Sequence, residues 1–222
     1  MNSNRKWDLV IFDLDGTIVD TIYDLAAAVN YALSSKNLPG RSLEECRARV
    51  GHGVRNLVWQ AMPEECQGDE ALLDDLLQVF MNYYTANIAV KSQPYPGVVD
   101  LLKSLNAAAV KIAVASNKFQ EGTQAIVSTF FPDVEFCAVL GGTKELPLKP
   151  DPAIVHKIFD MSGVDASRAV MVGDSSTDMK TASAAGIPSI AVTWGFKPDG
   201  AVPLADAVAH TAEELCALLL DK

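Results

Sequence analysis

The feature of this sequence that most limits its fold is a series of short, continuously apolar runs rich in valine and isoleucine. Segments with helical periodicity occupy most of the intervals between them. Strands without polar alternation are buried on both faces, which is typical of a parallel sheet covered by helices on either side. We therefore predict a doubly wound α/β fold with strands at Leu9–Phe12, Ile112–Ala115, Ala138–Leu140, Ala169–Val172 and Ser189–Val192. Ligands bind such folds beyond the carboxyl ends of the strands.

One long interval, from about residue 21 to residue 89, has helical patterns and no convincing strand. Ser42 and Glu45 form a capping box, which predicts the start of a helix. A later apolar stripe at helical spacing indicates packing within a small bundle, and it consists of Leu72, Leu73, Leu76, Leu77, Phe80, Met81 and Tyr84. This interval is best interpreted as a helical insertion.

The insertion ends at a turn-forming Gln-Pro-Tyr-Pro-Gly segment, residues 93–97, which returns the chain to the sheet. We predict an α/β core made of residues 1–20 and 92–222, with residues 21–91 as an α-helical cap. An insertion directly after the first strand would lie above the strand ends, where it resembles a lid.

The charge balance excludes several classes of partner. The chain has 18 Lys and Arg residues against 28 Asp and Glu residues, and it has no basic run suited to nucleic acid. An acidic surface also disfavours anionic membranes, so an anionic substrate would need a local group of cations or a metal. The N-terminal residues are polar and lack the apolar stretch of a signal peptide, so we expect a cytoplasmic protein. We separately expect a monomer or a homodimer.

Two acidic residues follow the first predicted strand, in the sequence Asp13-Leu14-Asp15-Gly16-Thr17. An aspartate at a strand end often caps the next helix. Capping explains one acid, but it does not explain two acids followed by a glycine and a small hydroxyl. This segment places several oxygens just beyond the strand end.

A second acidic pair, Asp174 and Asp178, follows the strand at Ala169–Val172. We expect a helix to begin near Ser175, with Asp174 as its N-cap and Asp178 one turn further on. Carboxylates about 4 Å apart repel each other by roughly 4 kcal/mol at an effective dielectric constant near 20. Two such pairs at one sheet edge need a compensating cation, and an all-oxygen ligand set favours Mg²⁺.

Two more segments supply groups suited to phosphate. The strand at Ile112–Ala115 leads into Ser116 and Asn117, which offer hydroxyl and amide donors. Lys149 is followed by Pro150 just ahead of a predicted helix, so its backbone is held rigidly. A lysine held at this edge is interpreted as a charge that stabilises phosphate and a nucleophile.

Taken in their order along the chain, these four segments resemble the motifs of the haloacid dehalogenase-like superfamily of phosphohydrolases. The match spans nearly the whole chain. The resemblance implies that Asp13 attacks phosphorus and that Asp15 acts as general acid and then as general base. It also implies that Mg²⁺ is held by Asp13, the backbone carbonyl of Asp15, Asp174 and, in a supporting role, Asp178. Thr17, Ser116, Asn117 and Lys149 would bind the phosphoryl oxygens.

The loop Arg49-Val50-Gly51-His52-Gly53 and the segment Thr193-Trp194-Gly195 resemble the phosphoglycolate phosphatase group of this superfamily. Gly51, His52, Arg55 and Arg49 are the candidate specificity residues, because the two glycines let this loop approach the site closely. His52 and Arg55 could equally be solvent-facing. A small phosphorylated metabolite is therefore the expected substrate, with phosphoglycolate the best single choice.

Other functions remain to be distinguished. A sugar-phosphate mutase of the β-phosphoglucomutase type would share the cap and motifs, but it would yield isomerised hexose phosphate instead of free phosphate. The acid at Asp15 disfavours a dehalogenase, and the absence of lysine from residues 51–55 disfavours a phosphonate-cleaving enzyme. A receiver-like signalling module has no helical insertion after its first strand and ranks lowest.

Overall fold

The computed structural model describes residues 6–220. Its strands form a six-stranded parallel sheet and a separate two-stranded antiparallel sheet. Its strands are β1 (Leu9–Phe12), β2 (Val19–Asp20), β3 (Gln93–Pro94), β4 (Lys111–Phe119), β5 (Ala138–Gly142), β6 (Ala169–Gly173), β7 (Ser189–Val192) and β8 (Ala207–Ala209). Its helices are α1 (Ile22–Ser35), α2 (Leu43–Arg49), α3 (Val54–Ala61), α4 (Glu70–Ala86), α5 (Val98–Ala107), α6 (Gln120–Phe130), α7 (Ala153–Ser162), α8 (Ser176–Ala184), α9 (Pro198–Ala201) and α10 (Ala212–Leu220). Short 3-10 turns lie at Glu64–Cys66, Ala166–Arg168 and Val202–Leu204.

The main sheet is parallel throughout, in the order β5-β4-β1-β6-β7-β8. This arrangement confirms the predicted doubly wound α/β fold, and each of the five predicted strands is present. The chain moves outward from β1 in both directions, so β1 lies between β4 and β6. The carboxyl ends of these three neighbouring strands therefore meet at one edge of the sheet.

Both faces of the sheet are covered, which explains why its strands lack polar alternation. Val10 and Phe12 of β1 pack on the side of α5 and α10, in one apolar cluster. Leu9 and Ile11 pack on the opposite side, in a second cluster that includes residues of α7 and α8. Successive side chains of a strand point to opposite faces, so a strand between two helical layers is apolar at every position.

The helical insertion, residues 22–86, has an apolar cluster of its own. In α4 the buried side chains Leu73, Leu76, Phe80 and Tyr84 recur at helical spacing. The predicted capping box at the start of α2 is present, with reciprocal bonds between Ser42 and Glu45. The insertion is therefore stabilised by its own packing as well as by its contacts with the sheet.

A short antiparallel pair, β2 with β3, joins the two ends of the insertion, with Val19 opposite Pro94 and Asp20 opposite Gln93. Next to it, the buried carboxylate of Asp24 accepts hydrogen bonds from the backbone N–H groups of Lys91 (2.9 Å) and Ser92 (2.8 Å) and from the Ser92 hydroxyl (2.7 Å). The two crossings between sheet and insertion are thus held side by side.

Three strands were not predicted, β2, β3 and β8, because runs of two or three residues carry no periodicity that a sequence can show. The polar N-terminal residues 1–5 lie outside the part of the chain that the structure describes. Within residues 6–220, no helix has both the length and the hydropathy needed to cross a bilayer.

Candidate active site

Asp13 lies directly beyond the carboxyl end of β1, in the middle of the sheet edge. Its backbone N–H donates to the carbonyl of Val172 (2.9 Å), which continues the β1–β6 pairing by one residue. Its side chain is almost fully buried. The central strand therefore fixes the position of this carboxylate.

Three buried carboxylates meet at this point, those of Asp13, Asp174 and Asp178, with one oxygen of each lying within 4.8 Å of the others. Lys149 Nζ lies between two of them, 2.7 Å from Asp13 Oδ1 and 2.6 Å from Asp178 Oδ1. Burial would lower the pKa of Lys149, but the two carboxylates outweigh it and raise that pKa. The cluster thus contains three acids and one lysine, and two of the acids favour its charged form.

One lysine does not compensate three buried acids. Burial raises the pKa of Asp13 well above its ordinary value, and repulsion from Asp178 and Asp174 adds to this effect, although Lys149 opposes it. Burial, followed by repulsion from Asp178, raises the pKa of Asp174 to about 7. A divalent cation would stabilise the ionised forms of all three, and an all-carboxylate ligand set suits a hard cation. This cluster could therefore bind a metal ion.

Ser175, and not Asp174, is the N-cap of α8. The Ser175 hydroxyl donates to Asp178 Oδ2 (2.6 Å), and the two residues form a reciprocal capping box. Asp174 instead accepts a hydrogen bond from the backbone N–H of Phe196. The prediction that Asp174 caps the helix is wrong because the serine next to it takes that role, which leaves the Asp174 carboxylate in the acidic cluster.

Two glycines permit the close approach of backbone to this cluster. A Cβ atom at Gly16, whose φ is +91°, would lie 2.4 Å from Asp174 Oδ2. A Cβ atom at Gly195 would lie 2.2 Å from the Cβ of Asp174. Any larger residue at either position would displace Asp174, so these glycines are part of the site.

Asp15 lies beside the cluster and accepts hydrogen bonds from Thr21 Oγ1 (2.6 Å) and Lys118 Nζ (3.1 Å). Lys118 is buried and also donates to the Tyr84 hydroxyl (2.6 Å), and its ammonium lies 4.6 Å from the centroid of the Tyr84 ring. Burial would lower the pKa of Lys118, but Asp15 and Tyr84 outweigh it and raise that pKa. Since Tyr84 belongs to α4, this network connects the insertion to the sheet.

Lys118 and Tyr84 were not among the predicted site residues. Lys118 gave only a partial signal: it follows Ser116 and Asn117 at a predicted strand end, but the β4–β5 pairing is irregular between Ala115 and Phe119, so side-chain alternation does not place it. Tyr84 carried no usable signal, since it belongs to the apolar stripe of α4 and its polar contact depends on tertiary packing.

The predicted phosphate-binding residues fall into two groups. Thr17 Oγ1 is buried and has no hydrogen-bond partner within the described residues, and Ser116 Oγ accepts from the Lys118 N–H (3.1 Å), which leaves its proton available. The Asn117 side-chain amide is fully used: Nδ2 donates to the carbonyls of Gly51 (2.7 Å) and Lys149 (3.0 Å), and Oδ1 accepts from the Lys149 N–H (2.8 Å). This side-chain amide therefore braces two loops, whereas Asn117 itself lines the cavity, so its contact with phosphate stays a prediction.

The predicted specificity residues of the insertion are also divided. Gly51 lines the cavity between the insertion and the sheet edge, whereas His52 is exposed. Arg55 lies on the outer surface, where it pairs with Glu70 (2.5 Å) and Asp74 (2.6 Å) of α4. The prediction for Arg55 is therefore wrong, because these two nearer acids hold its guanidinium away from the cavity.

Arg49 is a structural residue of the insertion. Its Nε donates to the carbonyl of Gln60 (3.0 Å), and its Nη1 donates to the carbonyl of Glu45. These bonds connect the end of α2 to α3. The guanidinium therefore braces the two helices and does not line the cavity.

The cavity has two unlike walls. The sheet edge contributes the acids and lysines described above, together with Ser116 and Thr177. The insertion contributes mostly apolar groups, among them Leu25, Val54, Leu57 and Phe80. A small polar ligand would thus be bound by the sheet edge and shielded from water by the insertion.

Comparison with known proteins agrees with this site. Residues 10–192 match the family model of the haloacid dehalogenase-like hydrolases. The chain belongs to this family. It is 38% identical over 189 residues to a phosphoglycolate phosphatase of Mesorhizobium japonicum, covering 85% of this chain and 83% of that one. It is 36% identical over 206 residues to one of Caulobacter vibrioides, covering 91% and 86%.

The fold agrees as well. A crystal structure described as a predicted phosphoglycolate phosphatase from Haemophilus somnus superposes with a TM-score of 0.90 at 29% identity, covering 97% of this chain and 99% of that one. This family member is therefore a phosphoric monoester hydrolase with a Rossmann-like core. Its acidic cluster lies where such a fold places its chemistry.

The Lys118 network generates a prediction about stability. Tyr84→Phe keeps the ring and removes the hydroxyl that accepts from the buried ammonium, so the free energy of unfolding should fall by about 1 to 3 kcal/mol. Urea denaturation measures this change. Tyr83→Phe is the matched control, because the neighbouring ring stacks on Tyr31 near the surface, and its effect should stay within about 0.5 kcal/mol. Equal effects of the two substitutions would contradict the network.

Proposed function

We propose that this protein is a Mg²⁺-dependent phosphatase that hydrolyses phosphoglycolate through an aspartyl-phosphate on Asp13. The observation that carries the proposal is the meeting of Asp13, Asp174 and Asp178 around Lys149 at the middle of the sheet edge. The relatives named phosphoglycolate phosphatase support the choice of substrate. We further propose that residues 21–91 act as a cap, that the protein is a monomer or a homodimer, and that it is cytoplasmic.

The residues present suit Mg²⁺. Asp13 and Asp174, with the backbone carbonyl of Asp15 and with Asp178 as a supporting ligand, would hold the ion in an oxygen-only site. When bound, the ion would neutralise the excess negative charge of the cluster and of the substrate phosphate. The raised pKa values of Asp13 and Asp174 support this, because burial and repulsion from neighbouring acids disfavour their ionised forms, which a bound cation would stabilise.

The first half of the reaction is a transfer to the enzyme. A carboxylate oxygen of Asp13 forms a bond to phosphorus while the bond from phosphorus to the alcohol oxygen breaks, and Asp15, after taking up a proton from solvent, gives that proton to the alcohol oxygen. Lys149 keeps Asp13 oriented by the contact at 2.7 Å. Thr17, Ser116 and Lys149 would bind the phosphoryl oxygens, since the two hydroxyls have donors to spare.

The second half returns the enzyme to its starting state. Asp15, now a carboxylate, removes a proton from water as the water oxygen attacks phosphorus, and the bond to Asp13 breaks to release phosphate. Thr21 and Lys118 hold the Asp15 carboxylate during this step. One carboxyl group can thus serve as acid and then as base without leaving its place beside the cluster.

Replacing the nucleophile tests the proposal. Asp13→Asn should reduce the turnover of phosphoglycolate by at least roughly 10⁴-fold while the protein remains folded, because the amide cannot attack phosphorus. Release of inorganic phosphate measures this, with circular dichroism to confirm the fold. Asp151→Asn is the control, since this exposed side chain only accepts from the Ala153 N–H at the start of α7, and the variant should keep its activity. Normal turnover by Asp13→Asn would contradict the mechanism.

The same assay separates a phosphatase from a mutase. With a hexose 1-phosphate as substrate, a phosphatase releases free phosphate and a mutase yields an isomerised hexose phosphate. We expect no isomerised product. Its accumulation would replace the proposed function with that of a β-phosphoglucomutase-like enzyme.

Metal binding gives an independent prediction. Mg²⁺ at about 100 times its Kd should stabilise the wild-type protein by about 2.7 kcal/mol, which corresponds to a rise in Tm of about 5 to 10 °C. Asp174→Asn keeps an oxygen that can accept from Phe196 but removes a ligand charge, so its Tm should rise much less. Thermal melts with EDTA or Mg²⁺ measure both. Equal rises in the two proteins would exclude Asp174 as a ligand.

A further inference from the structure

Lys197 is a cavity lysine that the mechanism above does not use. It follows the segment in which the Phe196 N–H binds Asp174, so its backbone lies beside the acidic cluster. Its partly buried side chain crosses to the insertion, where the ammonium donates to the backbone carbonyl of Val50. Lys197 therefore lies between the sheet edge and the loop at residues 50–53, on the wall of the same cavity as Asp13.

The three lysines of this cavity differ in their partners. Lys149 contacts two carboxylates and Lys118 contacts one carboxylate and a tyrosine hydroxyl. Lys197, within the described part of the chain, forms no salt bridge and has a neutral carbonyl as its partner. It is thus the cavity lysine whose charge no carboxylate neutralises at contact distance.

Lys197 is partly buried, and among the described residues no carboxylate lies within salt-bridge distance of its ammonium. An anion brought to the ammonium would replace a neutral acceptor with a charged one, and such hydrogen bonds are about twice as strong. The side chain is therefore prepared for a negatively charged ligand group.

The surrounding loop leaves room for that group. Gly51, next to Val50, has a φ of +117°, and a Cβ atom built on it would lie 3.9 Å from Lys197 Nζ. On the other side of the loop, the Gly51 carbonyl accepts from Asn117. The loop is thus held over the cavity with the backbone of Gly51 beside the ammonium.

We propose that Lys197 is a specificity residue whose ammonium binds the carboxylate of the substrate while the sheet edge binds its phosphate. This inference rests on the proposed function, because phosphoglycolate carries these two anionic groups at its two ends. The Lys149 ammonium already contacts Asp13 and Asp178, and the Lys118 ammonium already contacts Asp15. Lys197 then distinguishes a phosphorylated acid from a neutral alkyl phosphate of similar size.

The test compares two substrates on one variant. Ethyl phosphate has a methyl group where phosphoglycolate has its carboxylate, so it reports the reaction without the second anion. Lys197→Met should lose about ten- to a hundredfold more kcat/KM for phosphoglycolate than for ethyl phosphate, mainly through KM. Lys197→Arg, which keeps the charge, should recover part of the preference.

Lys180→Met is the matched control, because Lys180 is an exposed lysine of α8 outside the cavity lining, and it should leave the ratio of the two kcat/KM values unchanged. Equal losses on both substrates in Lys197→Met, or no loss on phosphoglycolate, would overturn the role of Lys197. A wild-type protein that prefers ethyl phosphate would instead overturn the proposed substrate itself, and this inference with it. If Lys197→Met does not fold, Lys197→Gln provides the same comparison.

Discussion

The contact of Lys149 with Asp13 and Asp178 is the interaction on which the rest of this site depends. Without a cation, three carboxylates within 4.8 Å of one another could not all stay ionised in a buried place. The lysine satisfies part of that demand, and a divalent cation could satisfy the remainder. The excess of negative charge, which would destabilise an ordinary core, suits this cluster to a hard cation.

The order of the strands brings the charged groups of the site together. β1 lies between β4 and β6, so a loop from each strand reaches the same point, and Asn117 holds the Lys149 backbone in place with two hydrogen bonds. Gly16 and Gly195 let the backbone approach Asp174. Rigid strands and small residues thus position the charged groups, which is what a preorganised electrostatic site requires.

The insertion forms the second wall of the cavity and is bonded to the sheet edge around it. Asp24 holds the two crossings together, while Asn117, Lys118 and Lys197 each bond to a group of the insertion from the side of the sheet. These contacts lie around the cavity and include polar groups that a ligand could replace. The wall that the insertion contributes is mostly apolar, which would shield a bound ligand from water and strengthen the interactions of the charges at the sheet edge.

The sequence was sufficient to predict the parts of the molecule that follow local rules. Continuous apolar runs predicted the five central strands, and acids at their ends predicted which side chains meet. Tertiary competition decided the remainder: Ser175 took the N-cap expected of Asp174, Asp74 and Glu70 captured Arg55, and Asn117 was used within the protein. Tyr84 and Lys118 pair across 34 residues, a relation that periodicity does not contain.

Detection of a phosphorylated enzyme would distinguish covalent transfer to Asp13 from direct hydrolysis. Wild-type protein and Asp15→Asn are mixed with Mg²⁺ and acetyl phosphate, whose leaving group needs no proton, quenched in acid after milliseconds to seconds, and analysed by peptide mass spectrometry. The account predicts one phosphoryl group on the peptide that contains Asp13, accumulating in Asp15→Asn and removed by hydroxylamine. Phosphate on another residue, or turnover without any phosphorylated enzyme, would contradict it.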